Sequence, residues 1–170
     1  DNSKSFMNYK VLGKDENLDE YFEDQEDALI CVGQIKSPDI RIKLFNRLIN
    51  HKISLATVIS KLSIISSYCS IDMGSIVMHH AIINSGAKVG KNCILNTKSL
   101  IEHDVKIGDH CHISTGAILN GGVNIGDKCF IGSGSIVREG VHIGDSVIVS
   151  AGQIVMEDIP SNTIYKRWLN

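Results

Sequence analysis

The chain has 170 residues and a net charge of -2, with its 17 basic residues spread along it. This allows one ordinary domain with a small appendage and argues against a nucleic-acid surface; no apolar run is long enough to span a bilayer, and the acidic N-terminal stretch is no signal peptide. The sequence opens on Asp1, as expected of a truncated or processed form, and its five cysteines form no CxxC pair, which argues against zinc or thioredoxin-like chemistry and fits a cytoplasmic protein.

Residues 1–60 form a first unit. Ala28-Leu29-Ile30-Cys31-Val32 predicts a buried strand. Ser37-Pro38-Asp39 predicts a helix start, with Ser as cap and Pro in the first turn. Ile40, Leu44, Phe45 and Leu48 then make an apolar stripe, and Ile53 to Ile59 predicts another strand. This is α/β material, too small for a complete doubly wound domain, and it contains no glycine-rich phosphate loop.

Residues 61–159 carry an internal repeat. From Ile71, steps of six land on Val77, Ile83, Val89, Leu95, Ile101 and so on to Val155, and every station is a branched aliphatic. A helix would drift out of phase with this period. Two residues before each station sits a smaller side chain, including Cys69, Ser75, Ala81, Cys93, Cys111 and Cys129. Residues two apart on a strand share a side, so each short strand turns one small and one large residue inward. Four of the five cysteines are thereby expected to be core filler. Three residues after the stations, Gly, Asn or Asp recurs at Gly74, Gly86, Asn92, Asp104, Gly116 and Gly122, where the chain turns a corner with positive φ.

The pairs Val89-Gly90, Ile107-Gly108, Ile125-Gly126 and Ile143-Gly144 recur every 18 residues, so three hexapeptides make one coil of a triangular prism. About five coils fit between Cys69 and Glu157, roughly 24 Å at 4.8 Å per coil. Residues 160–170 are left as a tail. The outward residues then sort onto three faces. One is Ile82, Leu100, Ile118, Ile136 and Ile154; a second is Ile76, Ile94, His112, Phe130 and Ile148; the third is Lys88, Lys106, Asn124 and His142. Two apolar ladders on a soluble protein predict two faces buried against other subunits, as in a cyclic homotrimer.

This pattern resembles the left-handed parallel β-helix of the hexapeptide-repeat acyltransferases, a mainly β fold. With the N-terminal α/β fragment and Lys98-Ser99-Leu100-Ile101-Glu102-His103-Asp104, the chain is similar to the bacterial sugar O- and N-acetyltransferases, namely the sialic acid O-acetyltransferases and UDP-4-amino-sugar N-acetyltransferases. The resemblance covers nearly the whole chain and is most specific from Leu95-Asn96-Thr97 to Gly121-Gly122. The first strand and glycine-rich turn with which relatives begin are missing, and Tyr165-Lys166-Arg167-Trp168 stands where a Gly-x-Pro segment is usual. The resemblance implies a cytoplasmic homotrimer that transfers acetyl directly from acetyl-CoA, without a metal, to a hydroxyl or amine of a sugar or nucleotide sugar. The setting would be surface-polysaccharide or glycan biosynthesis. No nucleic-acid or membrane partner is implied.

His103 stands at a corner beside the Leu100 face, where a cleft between protomers is expected, and by resemblance it is the general base. Asp104 by resemblance orients it, although Asp also suits the corner conformation. His112 is the one polar member of its ladder, and by resemblance it contacts the acetyl thioester; a satisfied interface histidine is the alternative. Asn96 is expected to bind the acceptor. Gly121 stacks one coil beyond His103, so its N–H is a candidate for the oxyanion. Gly132, Gly134, Ala151 and Gly152 leave later corners bare for the pantetheine arm, or simply serve the turns. His79, His80, His110 and His142 are expected to face solvent. A γ-carbonic-anhydrase-like hydratase would need two histidines five residues apart, which the sequence lacks. A non-catalytic β-helix scaffold is the other alternative.

Overall fold

The computed structural model describes residues 5–15, 17 and 27–167; Trp168 and most of the first 26 residues lie outside it. Its body is a parallel β-solenoid of about 6 turns, the left-handed β-helix of hexapeptide repeats. Each strand has two residues, because a six-residue period leaves no more between corners. Three sheets result. The docking face has seven strands, from Val58–Ile59 to Ile164–Tyr165. The apolar face has six, from Ile64–Ile65 to Ile154–Val155. The polar face has five, from Ser70–Ile71 to His142–Ile143. Register is coil on coil: Leu100 pairs Ile118, His112 pairs Phe130, and Lys88 pairs Lys106.

The inward residues fill the prism. Leu95, Ile101, Ile113, Leu119 and Ile131 are fully buried, as are Cys93, Cys111 and Cys129. These three thiols stack and donate to Gly108, Gly126 and Gly144 carbonyls at 3.1, 3.0 and 3.0 Å. Ser75 and Ser135, at equivalent stations, donate to the Gly90 and Ser150 carbonyls, both at 2.9 Å. Burial pushes the Cys111 thiol up, so it stays protonated. The Gly-Asp repeat has a physical cause too. Asp109, Asp127 and Asp145 each cap the N–H of the residue one coil earlier (Lys91, Asp109 and Asp127) at 2.8 Å. The carboxylate fits only because Gly90, Gly108 and Gly126 carry no side chain.

The solenoid begins at Val58–Ile59 and reaches Ile164–Tyr165, beyond both ends of the repeat as delimited from sequence. Tyr165 turns inward at 8% exposure and closes the core. Between Val58 and the N-terminal strand, the expected strand over 53–59 divides into Ser54–Leu55, which pairs Asp27–Ala28, and Val58–Ile59, which pairs Ile76–Val77.

The N-terminal unit differs from expectation in several ways. The strand expected over 28–32 is confined to Asp27–Ala28, and burial along the stretch is uneven, with Ala28 and Ile30 buried but Leu29, Cys31 and Val32 exposed. The helix Asp39–Asn50 starts one residue later than expected: Pro38 is its N-cap and not part of its first turn, and Ser37, one residue outside, accepts the Asp39 N–H at 3.1 Å. Its inner stripe is Arg41, Phe45 and Leu48, and Ile40 is exposed. Arg41 is buried because it clamps the unit to the solenoid: Nη1 donates to the Ile30 and Val32 carbonyls at 2.8 and 2.7 Å, and Nη2 to Asn92 Oδ1 at 2.6 Å. Phe45 meets the His110 ring edge-on at 5.3 Å. Thus the docking face is covered at Ile94 and His112 by the chain itself, not by another subunit. His110 is half-buried there and not solvent-facing, whereas His79, His80 and His142 are exposed. No helix among the described residues is long and apolar enough to cross a membrane.

Candidate active site

His103 and Asp104 form the corner between the apolar and polar faces, after the strand Leu100–Ile101. Asp104 takes φ +59°, which Asp tolerates, and this turns its carboxylate back onto the ring. His103 Nδ1–H donates to Asp104 Oδ2 at 3.0 Å, with both side chains about two-thirds exposed or more. Such an exposed pair adds at most about 1 kcal/mol of stability. Its geometric effect is larger, since it leaves Nε2 bare and aimed along the groove.

Two glycines, each one coil away, make room for the pair. Gly86 lies under the Asp104 carboxylate, and any Cβ there would strike Oδ1. Above, a Cβ on Gly121 would stand 2.5 Å from His103 Nε2 and 2.6 Å from Cε1. Gly121 has no positive φ, so turn geometry does not explain it; its partner Gly122, at φ +69° with open space around it, is the turn residue. Glu102, His103, Asn120, Gly121, Glu139 and Gly140 line an open groove of about 570 Å³. Asn84 Nδ2 donates to Glu102 Oε2 at 2.9 Å, and the Gly122 N–H is taken by the His103 carbonyl at 2.9 Å.

His112 and Asn96 lie together elsewhere, on the docking face. His112 is 7% exposed, under Gln34. Its Nδ1 is 2.5 Å from the Gln34 carbonyl and its Nε2 is 3.1 Å from Asn96 Nδ2. Phe130 meets the ring edge-on at 5.2 Å. Burial pulls the imidazole pKa down, the Gln34 hydrogen bond opposes this, and the Arg41 cation adds to the lowering.

The corner between the docking and apolar faces is bare over its later coils. Gly134 and Gly152 have open space where a side chain would stand. A Cβ on Gly132 would fall 2.5 Å from the Ala151 nitrogen, so the surface there must stay flat. Ala151 is exposed, and Ser114 and Ser133 hydroxyls bond at 2.8 Å. This flat polar edge fits an extended arm such as pantetheine.

One chain therefore brings His103, Asp104 and Gly121 together. It sets His112 and Asn96 with the foot of the bare edge, whose upper part is Gly132, Gly134, Ala151 and Gly152. The two groups flank opposite edges of the apolar face. Sequence reasoning missed Gly86, Glu139 and Gln34. Stacking by 18 would have found Gly86 beneath Asp104, but nothing in the repeat announces Gln34, whose place depends on how the N-terminal unit docks.

The comparisons agree with this architecture. Residues 86–121 match the family model of the bacterial transferase hexapeptide (six repeats), and residues 122–156 match that of the hexapeptide repeat of succinyl-transferase. PerB from Caulobacter crescentus, solved with CoA and GDP-perosamine, is 30% identical, with a TM-score of 0.85 over 92% of this chain and 74% of that one. A mutant perosamine N-acetyltransferase from the same organism, with the same ligands, is 28% identical, with a TM-score of 0.86 over 95% and 76%. The acetyltransferase domain of PglB from Neisseria gonorrhoeae, solved with acetyl coenzyme A, is 27% identical, with a TM-score of 0.85 over 92% and 75%. No curated protein sequence matches the chain. The chain belongs to the hexapeptide-repeat sugar acetyltransferases.

Proposed function

We propose that this protein acetylates an amino or hydroxyl group of a nucleotide-linked sugar from acetyl-CoA by direct transfer, with His103 as general base. The observation that carries the reading is the His103–Asp104 pair, seated between Gly86 and Gly121 with Nε2 free in the groove. The acceptor nitrogen or oxygen attacks the acetyl carbonyl as His103 Nε2 takes its proton. Asp104 holds the Nδ1–H and stabilises the imidazolium. The new C–N or C–O bond replaces the C–S bond, and the proton passes from His103 to the departing thiolate. The Gly121 N–H faces the developing oxyanion. No acyl-enzyme is needed, and the inward Cys93, Cys111 and Cys129 are fully buried out of reach of the groove. Bound CoA in related structures, and GDP-perosamine in two of them, supports both substrate classes.

The working form in this reading is a homotrimer. Ile64, Ile136 and Ile154 on the apolar face are 65%, 37% and 60% exposed in the single chain, an apolar ladder that calls for a cover. Packing these faces about a threefold axis sets the base edge of one protomer beside the bare edge of the next, which joins the two halves of the site. The reading places the enzyme in the cytoplasm, in the biosynthesis of a bacterial surface polysaccharide or glycan; free thiols suit that compartment. The test is a panel of nucleotide-linked amino sugars and sialic acids, with thiol release from acetyl-CoA as readout. Release that depends on an acceptor supports the reading. Acceptor-independent hydrolysis, or none with any member, counts against it.

A further inference from the structure

We propose that the Asn96 amide, and not the His112 ring, is the group that meets the acetyl thioester, with His112 and Gln34 as positioning residues that act through it. The inference rests on the acetyl-CoA reading above. Three hydrogen bonds fix every orientation. The Thr97 N–H can only donate, so the Asn96 atom 2.7 Å from it is Oδ1, and Nδ2 faces the ring. The Gln34 carbonyl can only accept, so the His112 Nδ1 lying 2.5 Å away carries the proton. His112 Nε2 then accepts from Asn96 Nδ2 at 3.1 Å and has no proton to offer. Burial and the nearby Arg41 cation favour this neutral ring.

A ring in that state cannot donate to a thioester carbonyl. The Asn96 amide can, because Nδ2 has two N–H groups and His112 takes one. Asn96 is only half-buried, and it stacks beneath Ser114 and Gly132 at the same corner position, the foot of the bare edge. An arm that lies along that edge ends at Asn96. With the Gly121 N–H of the neighbouring copy, the Asn96 amide supplies the second donor of an oxyanion site. Gln34 acts one step further back. It is 3% exposed, and its Nε2 donates to the His110 carbonyl at 3.0 Å. That bond pins the segment so that the Gln34 carbonyl stays on His112 Nδ1. The N-terminal unit is in this way tied to the coenzyme end of the site.

The test uses the full chain labelled with ¹⁵N-histidine. Two-bond ¹⁵N–¹H correlation at neutral pH reads the tautomer of each ring, and His112→Gln identifies the His112 signal. The expected result is the Nδ1–H tautomer; an Nε2–H tautomer or an imidazolium overturns the proposal, whatever the activity. Asn96→Asp keeps the size and the Thr97 contact but loses the donor, so kcat/KM for acetyl-CoA should fall by about 10²–10³-fold. Wild-type kcat/KM in that variant would also overturn it. Gln34→Ala should yield mixed His112 tautomers and a fall of about 10–100-fold in kcat/KM for acetyl-CoA, with acceptor KM unchanged. An unchanged tautomer there removes Gln34 from the account. Absence of transfer by wild-type protein that holds the Nδ1–H tautomer defeats the functional reading and the thioester role together, whereas an Nε2–H tautomer with full activity defeats this proposal alone.

Discussion

Gly121→Ala separates the roles of two adjacent glycines. A Cβ at 121 would lie 2.5 Å from His103 Nε2 and 2.6 Å from Cε1. Comfortable contact begins at about 3.5 Å, so the ring must retreat by about 1 Å or swing away. A displacement of that size can lower turnover by about 10²-fold. The backbone at 121 is not left-handed, and alanine keeps the N–H, so neither strain nor loss of an oxyanion donor contributes. Stability should stay within about 0.5 kcal/mol of wild type. Gly122→Ala is the mirror case. At φ +69° with open space, it should cost about 1–2 kcal/mol of stability and leave His103 where it is. Thiol release from acetyl-CoA and thermal melts, run on both variants, give the four values. Wild-type turnover in folded Gly121→Ala, or a turnover loss confined to Gly122→Ala, would refute the reasoning.

Cys111→Ser should fold and turn over as wild type, losing no more than about 1–2 kcal/mol in a denaturant titration, because Ser75 and Ser135 already make the same bond at equivalent stations; a large loss of turnover would point to a catalytic thiol. Ile118→Lys or Ile136→Lys places a charge in the apolar ladder and should dissociate or unfold the proposed trimer; light scattering that reports a trimer for these variants would refute the face assignment. Acid should loosen the N-terminal unit first. Burial lowers the folded-state pKa of both His110 and His112, so the unfolded state binds more protons between those values and about 6.5. Stability is therefore complete above about 6.5 and lost as pH falls through the folded values. For His110 the Asp109 and Asp127 carboxylates oppose the shift, while Lys128 and Arg41 add to it. Hydrogen exchange should show helix Asp39–Asn50 losing protection before the solenoid strands as pH drops from 7 to 5; equal or reversed loss would contradict the docking account.

The prism was legible because its period is unbroken: from Ile71 to Val155 no insertion shifts the phase, and the inner cysteines follow from counting alone. The ends were not. Stepping back from Ile71 reaches Ile65 and Ile59 with Ser63 still in the small inner series, but Val58–Ile59 also continues the apolar run from Ile53, which drew it into the N-terminal unit. At the C-terminus the last coil is shorter: Val149 pairs Tyr165, 16 residues on rather than 18, so the count falls out of step. In the N-terminal unit, hydrophobic periodicity favoured Ile40 and overlooked Arg41, whose burial depends on carbonyls and on Asn92 that it meets only after docking. The same docking covers His110, which was expected to face solvent, and His112, which sequence could only sort by face. At the site, the corner position of His103 and the stacking of Gly121 came from arithmetic, and the aim of Nε2 from the coordinates.

The most direct test of the central claim is kcat for His103→Ala beside acetyl-CoA binding measured by calorimetry, in protein shown to be folded and with an acceptor that the panel has identified. In the trimeric reading His103 meets only the acetyl end of the coenzyme, while the bare edge of the neighbouring copy holds the rest of the arm, so coenzyme affinity should stay near wild type. Loss of general-base assistance should lower kcat by about 10²–10⁴-fold. Near-normal kcat in that variant would contradict the account.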